Sequence, residues 1–347
     1  MANSVADIRN LVICGHGSAG KTSLVDKLLT QSGAVQGVPS VDAGTSICDF
    51  DEEEKHHHHS IESAVTHFEH AGKHVHLIDT PGYPDLVGQM IGALRAADTA
   101  LIAIDAHAGI KVNSRRAWKE AGKAGCGRIL VLTKLDTDNI DFLGLIESIH
   151  EVFGKECTLF NVPQGISDSL RGVISTLDVP KEIDDAVVDP VAIHEALIES
   201  IIEVDEKVLE RYFEGEMPSD KEQLGLMIQA IAAGTLVPIV CVSISKDVGV
   251  TELMDILTTA ALPPAAMRRT ASKEGDEVAI KPEPDAPLVA QVFKTRIDPF
   301  VQRLSYIRVY AGTLQKDSTI HSPEARKGIK IGPLLTVQAN ETSPTDE

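Results

Sequence analysis

The chain has 347 residues, 43% of them hydrophobic, and a formal net charge of −19. That is long enough for two or three domains with their own cores, and too acidic for broad, non-specific attraction to nucleic acid. A mean hydropathy of +0.01, no apolar run of membrane-span length and a polar start predict a cytoplasmic protein with no membrane partner, and five scattered cysteines without a C-x-x-C pair predict reduced core thiols.

Residues 10–14 (Asn-Leu-Val-Ile-Cys) predict a first strand, and residues 23–29 suit a helix. Between them stands GHGSAGKT, residues 15–22, with the spacing G-x-x-x-x-G-K-[ST] in the strand-then-helix context that a phosphate loop needs. Such a loop brings backbone N–H groups against a phosphate, and a Cβ at Gly15 or Gly20 would obstruct the approach. Gly15, His16, Gly17, Ser18, Ala19, Gly20, Lys21, Thr22 and Ser23 are therefore the candidate phosphate-binding residues. The helix opening at Gly20 offers unpaired N–H groups and its positive dipole end to the same anion. Lys21 is placed to reach the β- and γ-phosphates, and the Thr22 hydroxyl to ligate Mg²⁺.

Residues 30–60 show no sustained periodicity and read as a long, mobile, functional loop. Within it, His56-His57-His58-His59 follows an acidic run. Neighbouring side chains diverge, so these histidines predict an exposed polar loop rather than a metal site. A hairpin turn over 67–74 leads to a strand, 75–79, that ends in Asp79-Thr80-Pro81-Gly82. A carboxylate there fits a water-mediated Mg²⁺ contact opposite the phosphate loop, and Gly82 leaves an N–H free to approach a γ-phosphate. A helix over 85–97, a strand over 100–104, a helix over 112–123 and a strand over 128–132 follow, with Trp118 expected to be a packing residue. This alternation predicts an α/β fold with a doubly wound, mostly parallel sheet, whose ligands sit at the carboxyl ends of strands.

The strand over 128–132 runs into Thr133-Lys134-Leu135-Asp136. A carboxylate held there accepts two hydrogen bonds from the N1–H and 2-amino group of guanine. Adenine presents no donors at those positions, so a buried Asp136 would be left unpaired at a cost of about 1–3 kcal/mol. The Lys134 stem is expected to pack along the base.

Residues 1–154 thus form the first part of one domain, and at 155 the alternation stops. Residues 155–236 predict an inserted α+β subdomain, with β-like runs at 157–162 and 172–176 and helical patterns at 192–213 and 221–233. Residues 237–264 resume the sheet with a final strand and a helix over 251–260, before Leu262-Pro263-Pro264 breaks the domain. Residues 265–286 are charged and Pro-rich, predicting an extended linker. Residues 287–347 open with β composition and predict a partial second domain.

The ordered set GHGSAGKT, DTPGY and TKLD resembles the translational GTPases, and specifically elongation factor G and its elongation-factor-G-like branch. The resemblance implies a P-loop GTPase domain followed by a β-barrel. It also implies binding of GTP and GDP with Mg²⁺, hydrolysis of GTP, and action with the ribosome as a cytoplasmic monomer. Residues 49–60 can be laid without a gap on the family's first switch segment, whose closing threonine ligates Mg²⁺. Ser60 takes that place, so the implied metal-holding set is Thr22, Ser60 and Asp79. Residues 203–215 resemble part of the insert that elongation factor G carries. Residues 238–244 resemble its last strand and base-contacting loop, with Ser243-Ile244 at the family's Ser-Ala. Thr133, Lys134, Asp136, Ser243 and Ile244 are then the base-binding residues.

The chain departs from the family in three places. Translocating members carry His directly after D-x-x-G, to position the attacking water; this chain has Tyr83, as the elongation-factor-G-like branch does. A phenol with pKa near 10 is a poor substitute for an imidazole. Ser18 stands where translocating members place Asp, and Thr133 where Asn is usual. The chain also stops at Glu347, in the middle of the expected barrel, so translocation by this chain alone is not expected. Lys21, Gly82 and Tyr83 are the candidate catalytic residues. The competing expectation is a nucleotide-dependent binding or regulatory module with little hydrolysis, and Tyr83 is its best argument.

Overall fold

The computed structural model describes residues 4–273, 275–298, 302–322 and 327–347. Among these residues seven strands share one sheet: β1 (Ile8–Gly15), β2 (Ala64–His70), β3 (Lys73–Asp79), β4 (Thr99–Asp105), β5 (Gly127–Thr133), β6 (Cys157–Leu159) and β9 (Val237–Cys241). They run in the order β2-β3-β1-β4-β5-β9-β6. Every neighbouring pair is parallel except β2 with β3, a hairpin turning at Ala71-Gly72.

The central strands are apolar on both faces because helices cover both. Leu11 and Ile13 of β1 enter one core with α1 (Lys21–Gln31), α8 (Asp220–Ala233) and α9 (Val250–Thr259). Val12 and Cys14 enter the other with α3 (Val87–Ala96), α4 (Val112–Ala124) and α5 (Phe142–Phe153). This is the predicted doubly wound sheet. All five cysteines are free and buried. Trp118 stacks on Phe153 with ring centroids 4.6 Å apart, and the Arg128 guanidinium lies 3.9 Å from the Trp118 centroid.

Local differences from the expected pattern have local causes. Within 30–60 a short helix, α2 (Glu52–His57), forms because Asp51 and Glu54 make a reciprocal capping box. The run 157–162 divides: β6 joins the main sheet beside β9, and only β7 (Asn161–Gln164) leaves it to pair with β8 (Gly172–Ser175). The helical pattern at 192–213 breaks into α6 (Pro190–Ile202) and α7 (Glu206–Phe213), because Asp205 accepts from the N–H groups of Lys207 and Val208 and so starts a new helix. The span 265–286 is not extended throughout, for β10 (Arg269–Lys273) and β11 (Asp276–Ile280) pair as a hairpin.

Beyond it, β12 (Val289–Asp298) pairs with β13 (Gln302–Ala311), β14 (Thr319–Ile320) with β15 (Ile329–Lys330), and β16 (Leu334–Gln338) with β17 (Glu341–Thr345), all antiparallel. This is the start of the β-barrel domain. It docks on the GTPase domain through buried charge: Asp98 is fully buried and accepts from Asn10, Arg269 and Arg308, each at 2.9 Å. A second seam joins β2 to β16, where the Ala339 N–H donates to the Val65 carbonyl at 2.7 Å. No described helix is long and apolar enough to cross a membrane.

Candidate nucleotide site

The three motifs converge at the carboxyl ends of β1, β3 and β5, with the loop after β9 beside them. Gly15 closes β1 at φ +139°, and a Cβ there would lie 2.5 Å from the Ala103 carbonyl oxygen. Gly20 is different: it caps α1 in the left-handed region at φ +76°, and the nearest protein atom to its Cβ position is Ile244 Cδ1 at 3.7 Å. Backbone conformation rather than protein contact demands glycine at that turn. Ser18 also holds a positive φ of 61°, where a short polar side chain is tolerated better than a bulky one.

Lys21 is buried, and its ammonium donates to the His16 carbonyl at 2.9 Å. Burial pulls its pKa down, while Asp79 and Asp49 oppose that shift. The Thr22 hydroxyl donates to Asp79 Oδ2 at 2.7 Å and lies 3.0 Å from Ser60 Oγ. Ser60 and Asp79 thus meet the same Thr22 hydroxyl. Gly82 closes this end from the other side, for a Cβ on it would fall 2.5 Å from both the Gly17 nitrogen and Lys21 Nζ. Tyr83 covers Gly17, with ring carbons 3.5 Å from that residue's Cβ position. Ser23 follows Thr22 in the first turn of α1.

The charge here is incompletely satisfied. Asp79 Oδ1 is buried without a hydrogen-bond partner among the described residues, as are both carboxylate oxygens of Asp49. Burial raises Asp79 to about 7, with Lys21 and the Thr22 hydroxyl opposing. Burial also raises Asp49, against the neighbouring Ser60 hydroxyl, His59 and Lys21. Two hydroxyls, a carboxylate with an orphaned oxygen and a second unpartnered carboxylate nearby form a hard oxygen donor set, which fits Mg²⁺ completed by water and phosphate oxygens. Among the described residues no group of three His, Cys, Asp or Glu side chains could hold a metal.

At the base end, Asp136 Oδ1 accepts from Ser243 Oγ at 2.7 Å and Oδ2 from Ser245 Oγ at 2.6 Å. Partial burial pushes its pKa up, but the two hydroxyls outweigh this and hold it below the ordinary carboxylate range. Thr133 donates to the Ala19 carbonyl at 2.9 Å, joining the loop after β5 to the loop after β1. Lys134, at φ +59°, extends its ammonium to Asp105 at 3.0 Å.

Residues 6–263 match the family of the elongation factor Tu GTP-binding domain. The chain belongs to it. An elongation factor G-like protein of Mycobacterium tuberculosis is 34% identical over 92% of this chain and 46% of its own length. Elongation factor G of Chlamydia trachomatis is 29% identical over 98% of this chain and 52% of its own. A crystal structure of a Thermus thermophilus protein superposes with a TM-score of 0.84 at 29% identity, covering 98% of this chain and 51% of that one. The chain thus spans about half the length of these relatives, and within that span it is homologous to elongation factor G.

In this GTP-binding domain several residues at the site were not marked by any motif. Asn113, on α4, donates to the Gly82 carbonyl at 2.6 Å and fixes the D-x-x-G turn. Glu54 accepts from the backbone of Asp51, Ile61 and Glu62, tying the segment around Ser60 to α2. Asp26, raised to about 6 by burial, holds the Ile47 N–H at 3.0 Å. Ser245 lies two positions after Ser243 in one turn, a spacing that was visible; Asn113 has no local signal at all. The four histidines do not form a uniformly exposed loop: His56 and His57 end α2, and His59 turns inward against Tyr83, ring centroids 4.6 Å apart.

Proposed function

We propose that the chain is a switch that binds GTP and GDP, hydrolyses GTP with Mg²⁺, and acts with the ribosome. The observation that carries this is the convergence of Thr22, Ser60 and Asp79 within hydrogen-bond reach beside buried Lys21. Thr22 and Ser60 would hold Mg²⁺ directly and Asp79 through water. The ion, when bound, neutralises charge on the β- and γ-phosphates. Residues 15–23 wrap the phosphates with backbone N–H groups, Lys21 supplies a fixed cation, and Gly82 adds an N–H at the γ-position. Asp136 accepts from the guanine edge while Ser243, Ser245, Thr133, Lys134 and Ile244 hold the loops around it.

Burying Asp79 and Asp49 beside Lys21 is unfavourable without a further cation. Mg²⁺ arriving with the nucleotide would relieve the site, and residues 40–60 order around GTP and loosen after hydrolysis. Intrinsic turnover is slow in this reading, and the ribosome completes the site. The protein works as a cytoplasmic monomer without non-specific affinity for nucleic acid. The second reading, a nucleotide-dependent binding module with little hydrolysis, draws on Tyr83, which lies over Gly17 and brings no imidazole. Single-turnover GTP hydrolysis with and without ribosomes separates the two. Acceleration by ribosomes is expected; tight GTP binding with no acceleration favours the binding module.

A further inference from the structure

Tyr83 leaves the phosphate end without an imidazole from the D-x-x-G loop, yet the fold returns one from elsewhere. His59 directly precedes Ser60, whose hydroxyl lies 3.0 Å from Thr22 Oγ1. Its ring packs on Tyr83 with centroids 4.6 Å apart and planes tilted by 49°. Tyr83 in turn touches the Cβ position of Gly17, and its chain neighbour Gly82 abuts the Gly17 nitrogen and Lys21 Nζ. His59 Nδ1 lies 3.4 Å from the Ser60 carbonyl oxygen, and Nε2 makes no hydrogen bond to the described residues. A half-buried imidazole with one ring nitrogen on the backbone beside it and the other unclaimed therefore stands at the γ-phosphate end.

We propose that His59 is the water-positioning residue of this chain, held against the Tyr83 ring and delivered by the segment that carries Ser60. The inference rests on the GTPase reading above. Nε2, as the unprotonated ring nitrogen, accepts a hydrogen bond from the attacking water. The water oxygen forms its bond to the γ-phosphorus as the bond from that phosphorus to the β–γ bridging oxygen breaks. GDP leaves with the electron pair. One water proton stays with inorganic phosphate and the other passes to solvent, so His59 ends as it began. Tyr83 contributes the flat surface that fixes the ring. Because His59 and Ser60 are adjacent, water positioning and closure of the Mg²⁺ site become one event. Loosening of residues 40–60 removes both together.

The test uses the full chain with ribosomes, reading single-turnover GTP hydrolysis and, separately, affinity for a fluorescent GTP analogue. His59→Phe keeps ring packing on Tyr83 but loses the acceptor; on the order of a 10²-fold fall in rate is expected, with affinity changed by about 2-fold or less. His59→Gln keeps an acceptor and should retain a rate within about 10-fold of the parent. Adding Tyr83→His to His59→Phe should recover at least about 10-fold of the lost rate, by restoring an imidazole from the other loop. Hydrolysis by His59→Phe at the parent rate, or loss of affinity matching the loss of rate, would overturn the proposal. Failure of the parent chain itself to hydrolyse bound GTP would instead overturn the GTPase reading, and this inference with it.

Discussion

Asp98 and Asp79 are both buried carboxylates on the central sheet, at opposite ends of it. Asp98, just before β4, is saturated: Arg269, Arg308 and Asn10 all donate to it. Asp79, at the end of β3, has one oxygen on Thr22 and the other on none of the described residues. The same chemistry therefore serves two purposes. Where both oxygens are claimed by the protein, the charge fixes a domain interface; where one is left over, the charge is destabilising until a ligand arrives.

The largest effect should come from breaking the saturated end. Asp98→Ala strands one buried and one half-buried guanidinium group and should lower unfolding free energy by about 3–5 kcal/mol in urea titrations without nucleotide. Asp79→Asn under the same conditions keeps an acceptor for Thr22 but removes an unpaired charge, so stability should hold or rise. It should also abolish the added thermal stabilisation that Mg²⁺ gives over GTP alone. Equal destabilisation by both variants would erase the distinction between the two ends.

The base end lies between these extremes, since Asp136 is partnered yet only partly buried. Asp136→Asn exchanges an acceptor for a donor. Guanine-nucleotide affinity should fall roughly 10–100-fold, corresponding to about 1–3 kcal/mol, while xanthine nucleotides gain. Competition of GTP and XTP against a labelled nucleotide measures this; unchanged base preference would remove Asp136 as the reader.

How much of this was legible depended on the range of the interaction. Lys21, Thr22, Asp79 and Asp136 sit in local motifs whose chemistry requires strand ends, so periodicity and spacing located them. Ser60 was legible only through the resemblance of residues 49–60 to the family's first switch segment, and the structure brings it to Thr22 across 38 residues of chain. Asn113, Asp98 and Arg308 act over long sequence separations, and no spacing announces which arginine meets which carboxylate. The hairpin of β10 and β11 was hidden because Pro and charge dominate the composition of 265–286, whereas the Arg269 guanidinium there anchors on Asp98. His59 was obscured by its neighbours: in a run of identical residues only the fold decides which one turns inward.

The smallest expected effect concerns the second docking seam, where histidines cluster. His67 Nδ1 lies 3.1 Å from the Val337 carbonyl of β16, and the His67 and His74 rings lie 6.3 and 4.5 Å from that of His76. Burial, with His74, His67 and Arg308 adding repulsion, lowers the His76 pKa to about 3. An unfolded histidine titrates near 6.5, so as pH falls below that value the unfolded chain takes up a proton that the folded one refuses. Stability from His76 is thus complete above about pH 6.5 and declines steadily toward pH 3. By pH 5 the loss reaches at most about 2 kcal/mol, and less in proportion to the solvent that reaches this half-buried ring. Denaturant titrations at pH 7.5 and 5 should show a smaller loss for His76→Asn than for the parent. Parallel losses in the two proteins would mean that acid acts at groups other than His76, and that the seam is indifferent to protonation; Asp79 and Asp49, raised by burial, would shift stability the opposite way.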